Sequence, residues 1–185
     1  MTVTAPRGQI LSAPIALASC YEIARKLDVD RRQAQNLAEA GLLGPLYRSD
    51  ASVLVRVDDL DAVLHRPFLT GPHPAALVVR VAPARLDEVD PERDYLGWHA
   101  ELPQPQRWDA VRGWWAVKQP QDVQLVVVVL CTFIVEVLKV TGYTTGAADK
   151  RRFDVTAAPY KGRPFSGRRL RTPPGGSTYL LGAQP

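Results

Sequence analysis

Residues 125–135 read LVVVVLCTFIV, eleven residues without a charge, and no other segment constrains the fold as strongly. A membrane-spanning helix needs ~20 apolar residues, and Glu136 and Lys139 interrupt the run before that length. No membrane partner is expected. Val126 to Val129 in succession, then Ile134, Val135 and Val137, are β-branched; such side chains lose rotamer freedom on a helix and pack well on a pleated sheet. The run therefore predicts one strand, or two, buried on both faces.

Composition agrees with a folded soluble chain: 46% of the 185 residues are hydrophobic and 23% charged, which allows one domain or two small ones. The 16 prolines exceed the usual ~5% and predict many short elements separated by turns. Cys20 and Cys131 are the two cysteines, and no signal-like apolar stretch precedes them, so a cytoplasmic location with reduced thiols is expected.

The chain divides by pattern. Residues 1–18, with Pro6, Gly8 and Pro14, read as an arm. From Ser19 the pattern is helical: Tyr21, Ile23, Ala24 and Leu27 recur at helical spacing, Asp28 and Val29 make a break, and Asp30 is placed to cap a second helix. That helix turns Ala34, Leu37 and Ala38 inward, with Gly41 set to end it in a left-handed cap. Leu46 to Val57 predicts a hairpin with its tip at residues 49–52; Asp58 or Asp59 then caps a third helix that carries Leu60, Val63 and Leu64 and stops at Pro67. Helix, turn, helix, hairpin, helix within residues 19–66 is a winged-helix arrangement.

Pro67, Gly71, Pro72 and Pro74 mark residues 67–75 as a linker. Residues 76–158 are β in character, with candidate strands at Leu77–Val81, Tyr95–Glu101, Val111–Lys118, Val123–Tyr143 (broken once) and Phe153–Ala157. The expected class is α+β: the N-terminal winged helix-turn-helix, a small antiparallel barrel or rolled sheet, and a basic tail at residues 159–185.

Residues 20–64, CYEIARKLDVDRRQAQNLAEAGLLGPLYRSDASVLVRVDDLDAVL, resemble the DNA-binding winged helix shared by excisionase-type proteins and the mercury-resistance regulator superfamily. The YEIARKLDVD start, the second helix ending in EAGLL, the hairpin and the DDLDAVL helix carry the resemblance, which covers about a quarter of the chain. It implies that the second helix enters the major groove and that the hairpin touches flanking backbone or minor groove. On this sequence the readers would be Arg31, Arg32, Gln35 and Asn36, with Arg48 and Arg56 in the wing. Their chemistry suits the task, because Arg bonds guanine O6 and N7 in pairs while Gln and Asn do the same with adenine N6 and N7.

Charge is unevenly spread. Residues 1–149 hold 15 Lys and Arg against 18 Asp and Glu, whereas residues 150–185 hold 8 against 1, a net of +7. Lys150, Arg151, Arg152, Lys161, Arg163, Arg168, Arg169 and Arg171, spaced by Pro and Gly, are expected to lie along phosphates or an acidic protein surface. Among the aromatics, Trp114 and Trp115 are sequence neighbours and cannot both enter one core if extended, so Trp98, Trp114 and Trp115 are candidates for an interface in a homo-oligomer or other protein assembly.

No catalytic constellation is expected. His65, His73 and His99 are isolated, neither cysteine has metal-ligand spacing to another ligand, and Gly175-Gly176 precedes no helix, so no metal, no cofactor and no enzyme activity are anticipated. The sequence points to a sequence-specific binder of double-stranded DNA, serving transcriptional control, excision or plasmid and phage maintenance. The competing expectation is a structural or adaptor protein of a phage or other assembly, in which the winged helix and the tail make protein contacts.

Overall fold

The computed structural model describes residues 15–49, 52–160 and 162–182. Within them the chain is mixed α+β, with four α-helices and three sheets. It enters through β1 (Leu17–Ser19), so the end of the expected arm is already strand; residues 1–14 of that arm lie outside the described residues. Ser19 caps α1 (Cys20–Leu27) in a reciprocal box: its hydroxyl accepts the Glu22 N–H at 3.4 Å while the Glu22 carboxylate accepts the Ser19 N–H at 2.8 Å. Asp28 reverses the chain in the left-handed region, φ 54. Asp30 then caps α2 (Arg31–Glu39) as expected, accepting the Gln33 N–H at 2.7 Å, and Gln33 returns the bond at 3.2 Å. Gly41, φ 71, ends the helix; the Leu42 N–H reaches the Leu37 carbonyl at 3.2 Å and the Gly41 N–H that of Ala38 at 2.9 Å, which satisfies two of the orphan helix carbonyls.

The hairpin forms from β2 (Tyr47–Ser49) and β3 (Ser52–Arg56), with its tip residues Asp50 and Ala51 outside the described residues, and β1 completes the order β1-β3-β2. Neither Asp58 nor Asp59 caps α3 (Val57–Leu64); Arg56 holds the cap position without a side-chain bond. Both carboxylates sit in the first turn instead, where the positive end of the helix dipole favours them.

The rest of the chain supplies β4 (Ala76–Val81), β5 (Arg85–Leu86), β6 (Tyr95–Leu96), α4 (Gln104–Val111), β7 (Leu125–Leu130), β8 (Phe133–Thr145), β9 (Arg151–Ala157) and β10 (Thr178–Leu181). Five of these strands form one sheet in the order β10-β4-β7-β8-β9, and β5 pairs with β6. Of the expected antiparallel barrel or rolled sheet, the closed barrel and the purely antiparallel pairing are corrected. The sheet is open, with β9 and β10 at its edges, and β4 runs parallel to β7. Residues 82–124, which include α4, make the long connection that a parallel pair requires. The expected strand at Val111–Lys118 is absent: prolines at the start of α4 suit the first turn of a helix, α4 ends at Val111, and of the following residues Trp115 alone makes a β-bridge, to Arg151. The strand expected over Tyr95–Glu101 stops at Leu96, where Gly97 turns left-handed (φ 111) so close to Ala82 that a Cβ would lie 2.6 Å from its carbonyl oxygen.

Along β7 the apolar residues alternate between two cores. Val126, Val128 and Leu130, with Leu77 and Val79 of β4, join Ile23, Leu27, Leu37 and Leu60 of the first three helices in one cluster. Leu125, Val127 and Val129, with Ala76 and Val78, meet Phe165 and Leu170 on the other face. The basic tail expected at residues 159–185 is thereby packed into the fold. Phe165 is 0% and Leu170 6% exposed, a burial that contributes ~1.5–3 kcal/mol for each side chain, and β10 is hydrogen-bonded to β4. Cations, prolines and glycines dominate the composition of residues 159–185, but two large apolar side chains and one strand decide where the segment lies. The expected linker is fastened by the same segment: the Arg169 N–H donates to the Pro67 carbonyl at 2.8 Å and the Leu69 N–H to the Arg169 carbonyl at 2.7 Å. Among the described residues no helix is long and apolar enough to cross a membrane.

Candidate nucleic-acid interface

Helix α2 separates its residues by face. Ala34, Leu37 and Ala38 are fully buried, while Arg31, Arg32 and Gln35 are exposed and Asn36 is half-buried. At 100° per residue the four expected readers share the outward side. An open groove of about 500 Å³ runs between this helix, the start of α1 and the hairpin, and its walls bring together Arg31 and Gln35 of α2 with Arg48 of β2. Arg32, Asn36 and Arg56 do not line it. Arg56 is instead engaged with Asp58 at 3.1 Å.

Of the other side chains in the groove, Tyr21, Ser49 and Ser52 offer hydroxyls, and none was among the sequence candidates. Tyr21 is 72% exposed and so does not belong to the inward stripe of α1. The signal was available, because two residues before Ile23 is about 200° around a helix, well away from Ile23 and Leu27. The Gln35 amide donates to Glu39 Oε1 at 2.8 Å, a bond that fixes the amide. The Cys20 thiol, 3.8 Å from the Val53 carbonyl, is pushed above its ordinary value chiefly by burial, with the Arg31 charge opposing and Glu39 adding.

The eight C-terminal cations do not form one surface. Arg152 lies in β9, buried, paired with Glu92 and 3.5 Å from Asp90, its guanidinium 5.7 Å from the Trp114 ring. Arg151 is half-buried, 3.9 Å from Asp149. Arg169 is 8% exposed; it donates to the Leu27 carbonyl at 3.0 Å and Thr132 Oγ1 at 3.1 Å and rests on Phe68 and Phe133. Lys150, Arg163 and Arg171 remain exposed, Arg168 is half-buried, and Lys161 lies outside the described residues. Arg152 and Arg169 are thus removed from the expected polyanion surface, because carbonyls, carboxylates and aromatic rings inside the fold already use them.

The tryptophans also part company. Trp98 is 5% exposed and belongs to the main core, which corrects its assignment to an interface. Trp115 is half-buried against the same core. Trp114 is 37% exposed, beside Leu86 at 68% and Val89 at 90%, and these three line a cleft of about 690 Å³. Both cysteines are free thiols, and no cluster of metal-ligating side chains occurs among the described residues.

No protein-family model, curated protein or solved structure matches the chain.

Proposed function

We propose that this chain is a sequence-specific, double-stranded-DNA-binding protein of the cytoplasm in which residues 19–66 act as a winged helix-turn-helix, α2 reading the major groove and the β2–β3 hairpin lying on flanking backbone. The observation that carries the reading is the convergence of Arg31, Gln35 and Arg48 on one open groove between α2 and the hairpin. These are donors and acceptors suited to base edges and phosphate, held on regular elements with both capping boxes closed. The β-rich remainder serves assembly into a homo-oligomer through the exposed face of Trp114, Leu86 and Val89; sedimentation of wild type and Val89→Asp tests that part, and a monomeric wild type removes it.

Selection of a preferred duplex from a random pool, followed by titration, tests the DNA reading. Arg31→Ala and Gln35→Ala each weaken the selected site by ~1–3 kcal/mol and random duplex little, whereas Arg48→Ala weakens all duplexes alike and flattens the log-affinity against log-salt slope by ~0.9. Wild-type affinity for the selected site in both α2 variants would sink the assignment of α2 as reader. One observation favours the adaptor reading: residues 20–66 hold 7 basic and 8 acidic side chains, so the module has no cationic surplus to attract phosphate. Absence of salt-dependent duplex binding by the whole protein would select that reading.

A further inference from the structure

The Phe68 ring receives two guanidiniums, Arg169 at 4.6 Å and Arg171 at 4.8 Å, and they differ in what their N–H groups do. Arg169 donates from Nε and one terminal nitrogen to acceptors inside the fold. Arg171 is exposed, and among the described residues no carboxylate or carbonyl takes its donors. A guanidinium held against a ring with its donors untaken can bind a planar anion in bidentate fashion.

Arg171 borders a cleft of about 440 Å³ that also holds Thr70, His73, Leu170 and Leu181. His73 is 8% exposed. Its Nδ1 lies 3.1 Å from the Pro74 carbonyl oxygen; since a carbonyl only accepts, a bond there requires the proton on Nδ1, and among the described residues Nε2 has no protein partner. That nitrogen accepts when the ring is neutral and donates when it is charged. Among the described residues no Asp or Glu lines the cleft, and the carboxylate of Asp28 acts on Arg169. The volume lies within the ~300–1,000 Å³ of ordinary ligand sites, and such sites combine an apolar lining with a few polar groups.

We propose that this cleft binds a small organic carboxylate. The Arg171 fork takes the carboxylate, the Thr70 hydroxyl and the His73 Nε2 supply the flanking polar contacts, and Phe68, Leu170 and Leu181 receive an aliphatic or aromatic body. The apolar wall sets the ligand class: inorganic phosphate would satisfy the guanidinium but leave that wall wet, whereas each methylene buried there strengthens binding roughly fourfold. None of these residues lines the groove assigned to DNA, so the two readings fail separately.

The test titrates the full-length protein with benzoate, hexanoate and inorganic phosphate by calorimetry, and follows the His73 ring resonances by NMR. Expected are single-site saturation by benzoate or hexanoate with displacement of the His73 resonances, phosphate at least about tenfold weaker, and a loss of about tenfold or more in Arg171→Gln. Arg171→Lys keeps the charge without the fork and falls between. No saturation by either carboxylate at about 20 mM, equal affinity for phosphate, or unaltered binding in Arg171→Gln would each overturn the proposal. Should Arg171→Gln melt early, the wild-type His73 resonances decide: displacement on saturation supports the site, and their constancy refutes it.

Discussion

Arg169 is the side chain through which the C-terminal segment holds the first half of the molecule, and its removal has a calculable cost. It makes two charge-assisted hydrogen bonds, to the last carbonyl of α1 and to the Thr132 hydroxyl, each worth ~1.5–3 kcal/mol, and it stacks on two rings at ~0.5–2 kcal/mol apiece. Against this stands desolvation. Burial depresses the affinity of the guanidinium for its proton, with the Asp28 charge only partly compensating, so deleting the charge recovers part of what the contacts provide. The balance for Arg169→Ala is a loss of ~2–4 kcal/mol, or about 5–15 °C in melting temperature for a chain of this size. Arg169→Met separates the causes: it keeps an unbranched body between Phe68 and Phe133 and loses only the bonds and the charge, for ~1–2 kcal/mol. Calorimetric melting gives the magnitudes. Hydrogen exchange locates them, because the Leu69 and Leu170 amides, bonded to the Arg169 and Thr132 carbonyls, should open first. An Arg169→Ala protein that melts within about 1 °C of wild type would refute the reasoning that this guanidinium fastens the two halves.

Val128→Asp places a charge at a fully buried position opposite Glu136 of β8, so it should prevent soluble folding; a soluble variant with an unchanged melting temperature would mean the run is not core. The Cys131 thiol is pushed up to about 12 by burial, with the Asp30 charge adding. Because an unfolded thiol ionises near ~8.5 while the folded one keeps its proton, stability should fall as pH rises from ~9 to ~12, and urea melts of Cys131→Ser should fall less over that range. Parallel curves for the two proteins would contradict the shift.

What the sequence made legible is what neighbours in the chain decide. Asp30 with Gln33, and Gly41 after Ala38, act over four residues, so the limits of α2 could be read directly. The outward grouping of Arg31, Arg32, Gln35 and Asn36 follows from helix arithmetic alone. The valine run was legible for another reason: a strand apolar at every position must be covered twice. Its covers were not legible. Phe165 and Leu170 lie among cations and prolines with no period to announce them, and β4 meets β7 across residues 82–124, a pairing that no local pattern encodes. The groove shows the same division, since Arg48 shares it with Arg31 and Gln35 only because the hairpin folds back beside α2.

The charge arithmetic failed differently. A net of +7 over residues 150–185 counts donors without counting the acceptors that folding brings to them. Arg152 meets Glu92 and Asp90, and Arg169 meets a helix carbonyl and a hydroxyl; both are buried, and neither can release a counterion from a phosphate. Among the described residues the cations still facing solvent, Lys150, Arg163 and Arg171, sit on chain held by β9, Leu170 and β10 rather than on a free segment. Any polyanion they meet is therefore met by a rigid surface with few contacts. A flexible segment pays ordering entropy when it binds and wraps whatever it reaches; this one has paid that entropy in folding, and its cations act only where the sheet holds them.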